Sequence, residues 1–380
     1  MLRPNIPWDE EGVQHMLDAC KACGWSRIYW RVLDGGRSLY ASSLLNPMGR
    51  WDEDSFWSPK GDADRALVKR YSSNMTDAQR AEFLKKFDAL DYSKFDSFRS
   101  ALDYGHKIGL QIHAWVSINE DDHGWGLQSR FSKAHPEFRW QGRNRKKYHS
   151  QLSFSFPQVR EYKLQILEEL LAKYDLDGLF LDWIRTGDVR DNPQNDRNGV
   201  ADYGYEMASS FRKRFGKDPE KLANDDAEWV RFRAEPQTEF MRQVRNLATK
   251  RRPGLPIAAL VGHPWHYRGE IDKIDGNLRG LLLDVPAWVQ EKLVDALVPA
   301  GYYRDGGNAE LAVEALRKET QNRVDVWTYT WVPSTVAELE QTTATATKLN
   351  CKQILFWEAD YIDARANRTE LMTAIKAKAI

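Results

Sequence analysis

The stretch "YDLDGLFLDWIRTGD", residues 174–188, begins as a short apolar strand and then runs into Asp182, Trp183 and Arg185. A strand that is apolar on both faces belongs to a buried parallel sheet. In such sheets the carboxyl ends of the strands face the side where ligands bind. The fold built around this segment therefore decides what a carboxylate at position 182 is for.

Outward from this strand the chain alternates helix and strand. "FDSFRSALDYGHKIG", 95–109, sets Phe95, Phe98, Leu102 and His106 at helical spacing and stops at Gly109, a C-terminal cap; "LQIHAWV", 110–116, is the strand that follows. "PQVREYKLQILEELLAKY", 157–174, places Val159, Tyr162, Ile166, Leu170 and Tyr174 on one stripe, with Pro157 in the first turn, and leads into "DGLFLD". Further strands are expected at 256–262, 295–300, 324–332 and 352–358, with helices near 236–250, 308–321, 334–348 and 367–379. Upstream, a helix at about 9–23 precedes the strand "RIYWRVL", 27–33.

Seven strands in repeated strand–helix units imply parallel pairing, in either a closed (β/α)8 TIM barrel or an open doubly wound sheet. No strand is followed by G-x-G-x-x-G or G-x-x-x-x-G-K-[ST]. Polar and aromatic residues collect after many strands rather than at one crevice, which favours the barrel. Its first strand is short or atypical, either a segment inside residues 2–7 or a seam left incomplete. Two insertions, 34–92 and 186–235, follow strand C-termini and read as loops and short helices over the barrel mouth of a single domain, 1–380.

At 380 residues and 42% hydrophobic the chain can bury a large core. Its 55 basic and 55 acidic side chains cancel, leaving no net field to recruit nucleic acid or an anionic membrane. No apolar run approaches the roughly 18 to 20 residues of a membrane span, and "MLRPNIPWDEE" lacks a secretion signal. The expectation is a soluble protein, cytoplasmic as the chain stands, or secreted or periplasmic if a signal peptide was trimmed. Cys20 and Cys23 form the only C-x-x-C, at the end of a helix rather than at its start, so buried free thiols are expected. The 15 tryptophans fit either flat binding surfaces or an aromatic-rich core.

The strand ends carry the candidate chemistry. Beside Asp182 and Arg185 they supply Trp30 and Arg31; His113, Trp115 and Asn119; His263, Trp265 and His266; Tyr302, Tyr303 and Asp305; Trp327, Tyr329 and Trp331; and Trp357 and Glu358. Carboxylates with aromatic platforms and hydrogen-bonding side chains suit a carbohydrate, because rings stack on sugar C–H faces while amides and charges bind hydroxyls. The alternatives are an Asp182–Arg185 structural ion pair and tryptophans in the core. G-x-S-x-G and H-E-x-x-H are absent, against an esterase or a zinc protease. "NEDDH", 119–123, reads as a solvated loop rather than a cation site. No cofactor and no metal ligand set is assigned.

At "YDLDGLFLDWIR" the sequence resembles the family-10-like glycosyl hydrolases in their fourth barrel strand, through Asp177, Gly178, Leu181, Asp182, Ile184 and Arg185. "FDSFRSALDYGHKIGLQIHAWV", "FPQVREYKLQILEELLAKY" and "LVDALVPAGYY" are similar to further segments of that family. The resemblance implies a (β/α)8 glycosidase, with "RIYWRV" as strand two. The strand also resembles that of alpha-amylases and alpha-galactosidases, whose corresponding Asp is the nucleophile. Alpha-amylases carry an Arg where this chain has Phe180, so only the role of Asp182 as leading catalytic candidate carries over.

Glycoside hydrolysis uses two carboxyl groups, one ionised and one protonated. Asp182 fits the ionised role, with Arg185 or another cation holding it so. Glu358, within the aromatic "FWEAD", leads for the proton donor, ahead of Glu270 and Asp305. The competing readings are a carbohydrate-binding barrel without catalysis and a metal-dependent hydrolase using His113, His263 and His266.

Overall fold

The structure, a computed structural model, describes residues 8–48, 60–62, 65, 76–123, 127–182, 184, 202–262, 276–299, 306–359, 362 and 365–378. Strands form at all seven expected places. In chain order they are β1 (Arg27–Asp34), with a short antiparallel partner β2 (Arg37–Ser38), and β3 (Gln111–Ser117). Two small antiparallel hairpins follow, β4 (Asp122–His123) with β5 (Leu127–Gln128), and β6 (Arg139–Gln141) with β7 (Lys147–Leu152). Then come β8 (Leu179–Asp182), β9 (Ile257–Val261), β10 (Ala296–Pro299), β11 (Asp325–Val326), β12 (Thr328–Trp331) and β13 (Ile354–Trp357).

The main sheet runs β2–β1–β3–β8–β9–β10–β11, parallel throughout except for β2. Spatial order follows chain order without the reversal that defines a doubly wound sheet. β12 pairs in parallel with β13, and Trp327 is the hand-over point: its N–H bonds Leu297 O on the β10 side at 3.0 Å, while Thr328 N bonds Gln353 O at 3.2 Å. β11 and β12 are thus one strand that changes partner.

The helices form where apolar stripes and caps coincide. Asp96 accepts from Phe98 N and Arg99 N to start Ser97–Lys107, and Gly109, with φ 75°, turns the chain out of it. Pro157 occupies the first turn of Pro157–Lys173. The helix expected near 236–250 begins at Ala227, capped by Asp226, and carries Pro236 inside. Gly306–Glu319, Val336–Lys348 and Arg368–Lys378 complete the outer layer. Besides the two expected insertions, a third stretch follows β3: residues 118–156 hold both hairpins and the short helix Arg130–Ala134. Cys20 and Cys23 are buried thiols, as expected, and burial pushes the Cys23 thiol up to about 11.

The sheet separates two cores. Ile112, Ala114, Val116, Leu179, Leu181, Ile257, Ala259 and Val261 face the helices. The residues between them, Trp115, Phe180, Ala258 and Leu260, face inward with Ala296, Val298, Trp327, Tyr329, Leu355 and Trp357. This is the strand's period of two, applied to strands apolar on both faces.

One carboxylate of the helical layer gathers several donors of the first insertion. Glu169, on Pro157–Lys173, accepts from Tyr40 Oη at 2.8 Å, Ser42 Oγ at 2.5 Å, Ser43 N and Oγ at 2.6 Å each, and Lys173 Nζ at 2.8 Å. Burial alone would raise this carboxyl, but the hydrogen bonds from Lys173, Ser42 and Ser43 outweigh it and bring it down to about 2. An acid whose folded value lies below its unfolded one adds stability above the unfolded value and loses it as pH falls towards the folded value. Glu169→Gln is therefore expected to cost roughly 2 kcal/mol at pH 7. The gap between variant and parent should narrow between about pH 4.5 and pH 2. Thermal melts across that range check both; a pH-independent gap refutes the assignment.

Candidate active site

Asp182 ends β8 on the inner face, one alternation beyond Phe180, and is fully buried. Its Oδ2 accepts the indole N–H of Trp115 at 2.9 Å. Trp115 is held in turn from several directions. The Arg31 guanidinium lies over its ring at 4.8 Å, Trp357 meets it at 4.2 Å between centroids, and Phe180 meets it at 6.1 Å. Tyr329 packs edge-on against Trp357 at 5.3 Å, and the half-buried Trp331 is Trp357's register partner on β12.

Arg31 joins two further acids to this group. Its Nη2 donates to Ser117 Oγ at 3.2 Å and Glu120 Oε2 at 3.2 Å, and pairs with Asp34 Oδ1 at 3.3 Å. Ser117 is the register partner of Asp182, and Ile118 N bonds the Asp182 carbonyl at 2.8 Å. Glu120 is therefore brought close to β8. The segment read as a solvated loop is buried at Asn119, Glu120 and Asp121. Asp121 pairs with Lys163 at 2.6 Å, and both side chains are almost wholly enclosed. Lys163 comes from the helix stripe, 42 positions away, so no local pattern marks this partner. Asn119 Oδ1 and Nδ2 are buried without a hydrogen-bond partner among the described residues.

The structure thus brings together Asp182, Trp115, Arg31 and Trp357, with Trp331 and Glu358 at the ends of the strands that carry them. Glu358 directly follows Trp357 and has φ 55°, in the left-handed region that a glutamate enters at a cost. Trp327 lies deeper, buried and 6.3 Å from Tyr29, with the Arg27 guanidinium 5.9 Å from its ring. His113 also lies below Asp182, paired in register with Tyr29 and packed so closely on Gly178 that a Cβ there would sit 2.1 Å from its Nδ1. Burial brings His113 down to about 3, so its ring is neutral. Trp30 does not join this group. It alternates with Tyr29 and Arg31 and packs in the helix-side core. Arg185, His263, Glu270, Tyr302 and Asp305 lie outside the described residues. Sequence reasoning weighed Glu120 and Asp121 only within "NEDDH", set aside as a solvated loop, and did not name Asp34; the signal all three carried was position at or after a strand end.

Residues 66–337 match the family model described as glycosyl hydrolase-like 10. Among curated proteins, the glycosyl hydrolase DigH of Escherichia coli is 22% identical over 224 residues, which cover 55% of this chain and 46% of that protein. The chain thus spans about half the length of the curated relatives it matches. Among solved structures, the PgaB (BpsB) glycoside hydrolase domain from Bordetella bronchiseptica aligns with TM-score 0.62 and 13% identity, over 98% of this chain and 95% of that one. The beta-amylase catalytic domain of Paenibacillus polymyxa aligns with TM-score 0.59 and 11% identity, over 100% and 97%. At these identities the structural likeness concerns the fold.

The Asp121–Lys163 pair beneath the strand ends yields a stability test. Removing one partner leaves a buried charge uncompensated, whereas removing both charges does not. Lys163→Met is expected to cost about 3–5 kcal/mol, and Asp121→Asn with Lys163→Met to recover most of it. Urea denaturation of Lys163→Met, Asp121→Asn and the double variant measures this; strictly additive losses refute the pairing.

Proposed function

The chain belongs to the glycosyl hydrolase-like 10 family, and from that premise we propose that it hydrolyses O-glycosidic bonds of an oligo- or polysaccharide at the strand ends of a (β/α)8 barrel. The observation that carries the reading is Asp182, a buried carboxylate at the inner end of β8, enclosed by Trp115 and held by its N–H. The matched proteins' names, glycosyl hydrolase, glycoside hydrolase domain and beta-amylase, support the reaction class.

Support for closure into a barrel comes from side chains at opposite edges of the strand order. Trp115 on β3 touches Trp357 on β13, Arg27 on β1 donates to Gln353 Oε1 at 3.1 Å, and Trp25 stacks on Phe356 at 5.7 Å. A flat sheet would hold these edges apart.

In this reading Asp182 is the ionised carboxylate, which attacks the anomeric carbon or activates water, and Glu358 gives its proton to the leaving oxygen. What supports Glu358 is its place one residue beyond Trp357 and its left-handed backbone, a conformation that packed structure must hold and that gathers at functional sites. The complete burial of Asp182 equally suits a second reading, a barrel that binds carbohydrate without cleaving it.

A panel of polysaccharides and aryl glycosides tests the proposal. Asp182→Asn is expected to lower kcat/KM by roughly a thousandfold or more while the protein still melts cooperatively. Glu358→Gln should lose activity on natural linkages but keep much of it on aryl glycosides whose leaving group needs no proton. Absence of turnover on every substrate, with saccharide binding unchanged in Asp182→Asn, would establish the binding-only barrel instead.

A further inference from the structure

We propose that Trp115 is a positioning residue for Asp182, and that the site uses its indole N–H rather than the face of its ring. This inference deepens the reading of Asp182 as the working carboxylate and rests on it.

The geometry divides Trp115 into two parts. The edge of the ring carries Nε1, which donates to Asp182 Oδ2 at 2.9 Å. The ring itself is half-buried and packs against groups of the molecule. The Arg31 guanidinium stands 4.8 Å over the ring, Trp357 packs at 4.2 Å with an interplanar angle of 65°, and Phe180 packs at 6.1 Å and 76°. With a guanidinium over it and two aromatic neighbours packed against it, the half-buried ring offers less free face than an open sugar platform would. Arg31 is itself fixed by Ser117, Glu120 and Asp34. The guanidinium therefore acts as a clamp that holds the indole in one rotamer, with its N–H directed at the carboxylate. Three strands contribute to the result: the ladders set Ser117 beside Asp182 and Arg31 beside Trp115, so donor, acceptor and clamp are placed by register.

The chemical consequence follows from the donor's target. An N–H given to a carboxylate favours its ionised form and fixes the plane of the group. Both matter for an oxygen that must be charged and aimed when it meets a sugar or a water. A ring that merely stacked on substrate would instead govern how tightly substrate binds.

The test has two parts. In the native protein, the Trp115 indole cross-peak in a 1H–15N correlation spectrum, assigned through its nuclear Overhauser contacts to the Trp357 and Phe180 rings, is expected to titrate with the carboxylate and to move in Asp182→Asn. On a substrate found in the panel, Trp115→Phe keeps an aromatic ring but removes the N–H. It is expected to lower kcat by roughly 10- to 100-fold, the worth of a hydrogen bond to a charged group, with KM within about twofold. The acid limb of its pH–rate profile should move to higher pH. In the Asp182→Asn background the same substitution should have little further effect. An indole signal indifferent to Asp182→Asn overturns the proposal without requiring Trp115→Phe to fold. So does a Trp115→Phe enzyme whose loss lies in KM with an unmoved pH profile, which would make the ring a substrate platform. If Asp182→Asn moves the indole signal but no substrate is turned over, the positioning contact stands and the hydrolase reading alone fails.

Discussion

Burial of the Asp182 carboxylate is the constraint around which the strand ends are arranged. A charged group removed from water is tolerated only where donors or cations replace the solvent. One such donor is an indole N–H from the adjacent strand, and the Arg31 guanidinium that lies over that indole shares its positive charge between Glu120 and Asp34. Aromatic walls lower the local dielectric and so strengthen each of these contacts. The same walls make any group left unmatched expensive. Asn119, buried with both amide atoms unpartnered among the described residues, stands out on that ground as a group whose bonds a ligand or water would complete.

The segments that cover the strand ends are secured by the same device at other points. Glu169 binds the loop after β2 to the helix below it. Asp121 binds the segment after β3 to Lys163 on that helix. Glu206 ties the start of the 202–226 segment to the third insertion, accepting from Ser153 Oγ at 2.6 Å and Gln141 N at 3.0 Å, and burial pushes its carboxyl up to about 7. In each case one acidic side chain collects donors from elements distant in sequence. Stability of the frame and placement of the candidate site are therefore linked through charge compensation as much as through apolar packing.

Much of the frame was legible because parallel strands buried on both faces appear as apolar runs with helical stripes between them, and all seven such runs formed strands. The inward direction of Asp182 was legible for a related reason: once the strand is placed, alternation leaves one choice. The buried loop was not. "NEDD" is polar, and its burial depends on Arg31 and Lys163, which no local period connects to it. The described tryptophans lie on different faces of the frame. Trp140, Trp229 and Trp288 are core residues remote from the strand ends in sequence pattern, and Trp30 packs under the helices, whereas Trp115, Trp327, Trp331 and Trp357 line the inner face. Composition reports the excess of indoles; only register tells which face each one joins.

The inner wall also has an uneven construction. From β1 to β11 the strands are joined by backbone ladders, and β12 continues onto β13 in the same way, but among the described residues no ladder joins β13 to β1. That edge is bridged by side chains instead: Arg27 to Gln353, Trp25 on Phe356, and Tyr29 beside Trp327. On the outside, Cys23 and Trp25 share an apolar cluster with Leu371 and Ile375 of Arg368–Lys378, which lays the last described helix over the seam. Ring packing is non-directional and a lone side-chain hydrogen bond sets no register, whereas a ladder fixes register to a fraction of a residue. Asp182 on β8 and Glu358 after β13 are linked by ladders through β9, β10 and the continuous β11–β12 strand, and the packing of Trp357 on Trp115 joins them directly across the inner face. The indole that orients Asp182 is thus also the contact through which the far strand is brought to it.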